Sequence, residues 1–265
     1  MGRFMRSKSA SYYTLTACVA AAYIFLYMPI IILILFSFNN SLFPYAWKGF
    51  TLRWYAALWE STEVWDALRN SVIVAFSAVF LSVTFGVLVV YYSSRSFLAR
   101  LLIIFYGTLA VPEIVIAAGL LSVFVGMFVP LGLTTLIVAH TLLGIGYVIP
   151  LVHTRFAELN YALTEASLDL GATRTQTFFT IILPLLSQVI IAASLLVFVI
   201  SLDDFLLAFF CAGATTQTLP MYIFSMIRSG ATPLVNALST VLLLISSLLV
   251  LIFSSLNVKK ADMLS

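Results

Sequence analysis

Charge is scarce in this sequence. Asp, Glu, Lys and Arg make up 9% of it, against about 25% in ordinary soluble domains. So few charges cannot cover a surface that faces water. With 63% hydrophobic residues and a mean hydropathy of +1.14, lipid must be the solvent for most side chains. Cysteine is nearly absent: Cys18 and Cys211 each lie in an apolar run and form no C-x-x-C pair, which argues against a disulfide framework and a zinc site. No G-x-x-x-x-G-K-[ST] occurs, so the chain cannot hydrolyse ATP by that route, and Gly144-Ile145-Gly146 is a lone G-x-G that reads as a helix packing site. His140 and His153 lack metal-ligand companions, and a hydrogen-bonded helix histidine is the default for each. The net charge of +3 bears on topology and does not argue for nucleic acid.

What is present is a series of long apolar runs. A basic start (Arg3, Arg6, Lys8) precedes a charge-free run from Ser9 to Trp47, far longer than the roughly 7–15 residue core of a secretory signal. It reads as a retained first span over 14–38. Further spans are expected over 70–92, 101–129 with an interruption at Pro112-Glu113, 133–151, 185–211 opened by Pro184, and 235–256. The expected fold class is therefore an all-α integral membrane protein of six transmembrane helices, one domain over 1–265. Basic residues set the orientation. With the N-terminus inside, Arg3, Arg6, Lys8, Arg95, Arg100, Arg155, Arg174, Lys259 and Lys260 are cytoplasmic, and Lys48, Arg53, Arg69 and Arg228 are external. Both termini are then cytoplasmic, the stretch 158–184 lies inside, and 39–69 and 212–234 form external loops.

The stretch from Glu165 to Pro184, EASLDLGATRTQTFFTIILP, is the most polar segment between apolar runs. Leu159, Leu163, Ala166 and Leu170 fall on one face of a helix. Gly171 follows where a left-handed C-terminal residue is wanted. Thr173 can cap a second helix carrying Phe178, Ile181 and Ile182. One reading is an amphipathic connector lying on lipid; the other is a docking element.

Acids inside apolar spans are expensive and usually face a pore or a partner. Glu113 lies about 18 Å into its span, and Asp203 and Asp204 about 27–30 Å along the fifth, at 1.5 Å per residue. Adjacent residues on a helix point about 100° apart, so one of the two aspartates can face a pathway while the other caps backbone or meets a partner. No basic residue in the spans neutralises these acids, which points to a cationic cargo or to a group on another subunit. In the last external loop Leu219, Tyr222, Ile223, Met226 and Ile227 mark one face of a helix begun by Pro220 and ended by Arg228 and Gly230. It is either an interfacial anchor or a gate, and Tyr222 joins the three acids as a candidate for the substrate pathway.

Glu165-Ala166-Ser167, Gly171 and Ile181-Ile182-Leu183-Pro184 match at every spacing the cytoplasmic signature of ATP-binding-cassette importer permeases, with Ser167 where the pattern has alanine. Phe36–Ser41 (FSFNNS), Gly49–Leu58 (GFTLRWYAAL), Ser201–Phe205 (SLDDF) and 218–240 (TLPMYIFSMIRSG…NALST) resemble polyamine importer permeases. Many of those have an aspartate where this chain has Glu113. The resemblance implies a type I importer permease fold in the bacterial cytoplasmic (inner) membrane, a non-catalytic subunit of a spermidine/putrescine importer. Two copies of an ATP-binding subunit would dock on Glu165, Ala166, Ser167, Gly171 and Pro184. A second, related permease and an extracytoplasmic substrate-binding protein would complete the complex, with no cofactor or metal in this chain. The alternatives are an importer for another solute, such as ferric iron or sulfate, and a secondary transporter or channel.

Overall fold

The computed structural model describes residues 2–41, 46–93, 102–214, 216–230 and 233–262, with side chains described between Leu15 and Leu248, Ile103 excepted. Arg95 and Arg100 lie outside the described residues. Among the described residues the regular structure is all helical, apart from one isolated β-bridge between Asn39 and Phe50. It divides into two compact units, Met1–Ser61 with Ser225–Ser265, and Thr62–Phe224.

The first unit holds α1 (Gly2–Phe36), α2 (Arg53–Glu60) and α12 (Pro233–Asp262). No residue in the apolar window of α1 (Leu15–Phe36) is buried by the rest of the chain. Its side chains are apolar all round, as a helix solvated by lipid or by another subunit must be. Between α1 and α2 the chain is tied by Asn39, which is buried. Its side chain donates to Ala46 O (2.8 Å) and accepts from Lys48 N–H (2.9 Å) and Ser41 N–H (3.3 Å), while its carbonyl accepts from Trp54 Nε1–H at 2.8 Å. The two segments FSFNNS and GFTLRWYAAL are therefore one knot around a single amide.

The second unit is built on α3 (Thr62–Ser93), α6 (Leu133–Ala157) and α9 (Leu183–Asp203), which pack on one another. Gly144 makes this possible on α6. A Cβ there would stand 2.8 Å from Ser82 Oγ on α3 and 3.0 Å from Val197 Cγ1 on α9, so the residue is a packing site, as the lone G-x-G predicts. One apolar cluster gathers Val87, Val90, Tyr91, Val148, Ile149, Val152, Phe178, Ile182 and Leu186; a second gathers Val74, Ala117, Phe124, Leu136, Ala139, Leu207, Ala208 and Cys211.

Four helical stretches are long and apolar enough to cross a membrane, by length and composition among the described residues: Leu15–Phe36, Thr62–Ser93, Leu133–Ala157 and Arg174–Asp203. The remaining two expected spans take other forms. The third is broken into α4 (Leu102–Thr108) and α5 (Glu113–Gly126), with the break at the interruption expected at Pro112-Glu113. Pro112 is extended (φ −57°, ψ 133°), a geometry that stops one helix and frees Glu113 to begin the next. The sixth is α12, whose described apolar portion is Pro233–Leu248.

Three boundaries differ from the sequence reading. α3 begins at Thr62, so 62–69 are helix rather than loop, and α6 continues through His153 and Arg155. Pro184 stands in the first turn of α9, as expected, but α9 does not start free. It lies inside a continuous run from Arg174, just after a π-helical turn, Phe178–Ile182. Proline cannot donate and its ring crowds the carbonyl four residues back, so a widened turn ahead of it relieves the conflict. Thr180 Oγ1 donates to Gln176 O at 2.7 Å and occupies part of the exposed backbone.

Candidate coupling segment and buried acid site

The polar stretch folds as two short helices, α7 (Ala162–Asp169) and α8 (Arg174–Thr177), joined at Gly171. Gly171 has φ +89°. Its N–H donates to Leu168 O (2.9 Å) and that of Ala172 to Ser167 O (3.1 Å), the paired bonds of a Schellman cap, which needs a left-handed residue at this position. Thr173 then caps α8: Gln176 N–H donates to Thr173 Oγ1 at 3.2 Å, and Thr173 N–H donates to Gln176 Oε1 at 2.8 Å. This is a reciprocal capping box. Ser167 Oγ and Thr177 Oγ1, both buried, stand 3.0 Å apart and clasp α7 to α8. The serine at the position where the signature has alanine makes a bond that alanine could not. Tyr91 OH donates to Arg174 O at 2.9 Å, and the Tyr91 and Phe178 rings lie 4.7 Å apart, which fastens the pair to the end of α3.

The apolar stripe expected on α7 is divided. Leu159 lies outside the helix and packs against the core. Leu163, Ala166 and Leu170 face outward with Glu165, and Leu170 is 88% exposed. Thr164 and Ser167 form the inward face instead. Gly171 and Pro184 are exposed. An exposed leucine on a doubly capped helix pair is an apolar contact offered on a rigid support.

At α9 the structure breaks the helix that the sequence reading runs to Cys211. Asp203 is its last residue, Asp204 is extended (φ −70°, ψ 117°), and α10 (Leu206–Cys211) follows. Asp204 Oδ1 accepts from Leu207 N–H at 3.0 Å and so caps α10, while Oδ2 is buried without a hydrogen bond. Asp203 is exposed and Asp204 buried, which resolves the pair into one outward and one inward acid. α5 packs on α10, and the Glu113 carboxyl at the start of α5 lies against that of Asp204. Two helix breaks thus bring two acids together. α11 (Leu219–Ser229) forms as its periodicity predicts; Tyr222 on it is half-buried. This helix reaches the break through Phe224, whose ring lies 4.5 Å from that of Phe205.

The structure sets one more side chain beside the acids: His140 of α6, with Nδ1 3.8 Å from Asp204 Oδ2 and 3.0 Å from Ser201 Oγ. His140 and Asp204 side chains are each 1% exposed. Sequence reasoning missed His140, Ser201, Thr177 and Phe224 because each belongs to an apolar or capping pattern and acquires its partner only across elements.

Apolar spans broken at two facing acids are those of a membrane protein with a polar site inside its spans. The chain matches the family described as "Binding-protein-dependent transport system inner membrane component" over residues 78–259. It is 35% identical over 240 residues to the spermidine/putrescine transport system permease protein PotC of Haemophilus influenzae, covering 89% of this chain and 93% of that one. The identity to Escherichia coli K12 PotC is also 35%, over 88% and 89% of the two chains, and to the putrescine permease PotI of that organism 33%, over 83% and 82%. A chain of a bacterial transporter that imports alginate shares the fold, with a TM-score of 0.71 at 17% identity over 95% of each chain. The chain belongs to the inner-membrane components of binding-protein-dependent transport systems, and is a multi-pass membrane permease.

Proposed function

We propose that this permease imports polyamines, spermidine or putrescine, across the bacterial cytoplasmic membrane, driven by two copies of a separate ATP-binding subunit. The observation that carries the cargo is the Glu113–Asp204 pair: residues far apart in sequence, facing one another at two helix breaks in otherwise apolar spans. Two carboxyls in such a place repel unless a cation or proton lies between them, and the Coulomb term grows as water is excluded. A polyamine supplies ammonium groups for the acids and methylenes for apolar walls, here Phe205, Phe209 and Phe224. Similarity to permeases named for spermidine and putrescine supports the same reading.

In this reading the chain is one domain over 1–265 and crosses the membrane six times, with broken α4–α5 and α12 as the third and sixth spans and both termini inside. The α7–α8 pair faces the cytoplasm and docks the ATP-binding subunit through Glu165, Ala166 and the exposed Leu170, with Ser167, Gly171 and Pro184 shaping the support. A second, homologous permease completes the pathway. An extracytoplasmic binding protein delivers cargo near α11 and Tyr222, and Asp203 serves as an outer acid.

The test is labelled spermidine and putrescine uptake by Asp204→Asn, Asp203→Asn and Glu113→Gln, beside co-purification of the ATP-binding subunit. Uptake is expected to fall about tenfold or more when a charged partner of a permeant cation is lost, with assembly preserved. Wild-type uptake in the triple variant refutes polyamines as cargo.

A further inference from the structure

The Glu113–Asp204 pair leaves His140 unexplained. Its imidazole is buried between α6 and α9, and only Nδ1 has partners. Nε2 is buried with no hydrogen bond. Nδ1 and Ser201 Oγ share a hydrogen bond at 3.0 Å, and Asp204 Oδ2 stands 3.8 Å from the same ring nitrogen. Asp204 is then held from two sides. Oδ1 is committed to Leu207 N–H, and Oδ2 faces the imidazole at a distance too long for a hydrogen bond.

We propose that His140 is a positioning residue for the cation site. Anchored by Ser201, it helps to fix the rotation of the Asp204 carboxyl so that Oδ2, which accepts no hydrogen bond among the described residues, is presented to an ammonium group held between Asp204 and Glu113. The arrangement suits a transport site. Oδ2 is oriented without being spent on a strong internal bond, and a permeant ion must be neither repelled nor held too well. Ser201 stands three residues before Asp204, at the last turn of α9, so the anchor and the acid move with the same helix end. His140 stands on α6. The pair therefore ties the break in α9 to its neighbour at the level of the cargo.

This inference rests on Asp204 being a cargo residue, and the experiment separates the two. Uptake of labelled spermidine is measured as a function of concentration for the assembled transporter carrying Asp204→Asn, His140→Asn, His140→Gln or Ser201→Ala, and for the double variant His140→Gln with Asp204→Asn. The amide nitrogen of asparagine falls near Nδ1 and can meet Ser201; that of glutamine falls near Nε2 and cannot. His140→Gln is expected to raise KM about tenfold with Vmax within about twofold, His140→Asn to stay within about threefold of wild type, and Ser201→Ala to lie between. The double variant should be no worse than Asp204→Asn alone, since residues acting through one group are not additive. An unchanged KM in His140→Gln, equal losses in the asparagine and glutamine variants, or additive losses in the double variant overturn the positioning role. Wild-type uptake by Asp204→Asn overturns the cargo site beneath it.

Discussion

Gly171 is where the coupling reading can be broken with the least collateral damage. At φ +89° its backbone lies in the left-handed region, and a Cβ added there would meet nothing within 4 Å. Substitution therefore causes no clash, and its whole cost is conformational, about 1–2 kcal/mol for an ordinary L-residue. The chain can pay that strain or relax the turn. Relaxing it gives up the bonds from Gly171 N–H to Leu168 O and Ala172 N–H to Ser167 O, each worth about 0.5–1.5 kcal/mol net, so neither route is cheap. At about 1.4 kcal/mol per factor of ten, the equilibrium between the α7 pose, with Leu170 and Glu165 presented outward, and the relaxed turn shifts against the pose by roughly 5–30-fold, which is the upper bound on the loss. Affinity for the ATP-binding subunit should fall by up to that factor in Gly171→Val and less in Gly171→Ala. Gly171→Asn should lose least, since asparagine tolerates the left-handed region. The assay is titration of the purified ATP-binding subunit onto the detergent-solubilised permease, with polyamine uptake alongside. Wild-type affinity in Gly171→Val, or asparagine worse than valine, refutes the docking assignment.

Orientation has a direct check: a cysteine at Ser229 should react with impermeant thiol reagents from outside the cell and one at Gln176 only from inside, and reversed labelling overturns the topology. Gly144→Val should overpack the meeting of α3, α6 and α9, where even a Cβ stands 2.8 Å from Ser82 Oγ. A loss of about 1–3 kcal/mol is expected, read as lower thermal stability of the purified permease; an unchanged melting temperature argues against close approach at this glycine.

The local chemistry of the candidate coupling segment is legible in one dimension. Gly171 and Thr173 announce a left-handed stop and a helix cap because both signals depend on residues within three or four positions. The interruption at Pro112 and the helix at Leu219 are legible for the same reason: proline and apolar periodicity act within a turn or two. Composition alone assigns lipid as the solvent, because surface charge is a property of the whole chain. The rest is decided by tertiary structure. Asp203 and Asp204 are indistinguishable in sequence; the break in α9 turns one outward and the other against Glu113 and His140. The stripe Leu159, Leu163, Ala166, Leu170 reads as one face, yet Leu159 is drawn to the core and Thr164 with Ser167 takes the inward side, because the clasp to Thr177 outweighs periodicity in so short a helix. His140 looks like any helix histidine until α9 brings Ser201 and Asp204 to it. A sequence states what each residue can pair with, but only packing across elements decides which pairs form, and a buried polar atom depends entirely on that choice.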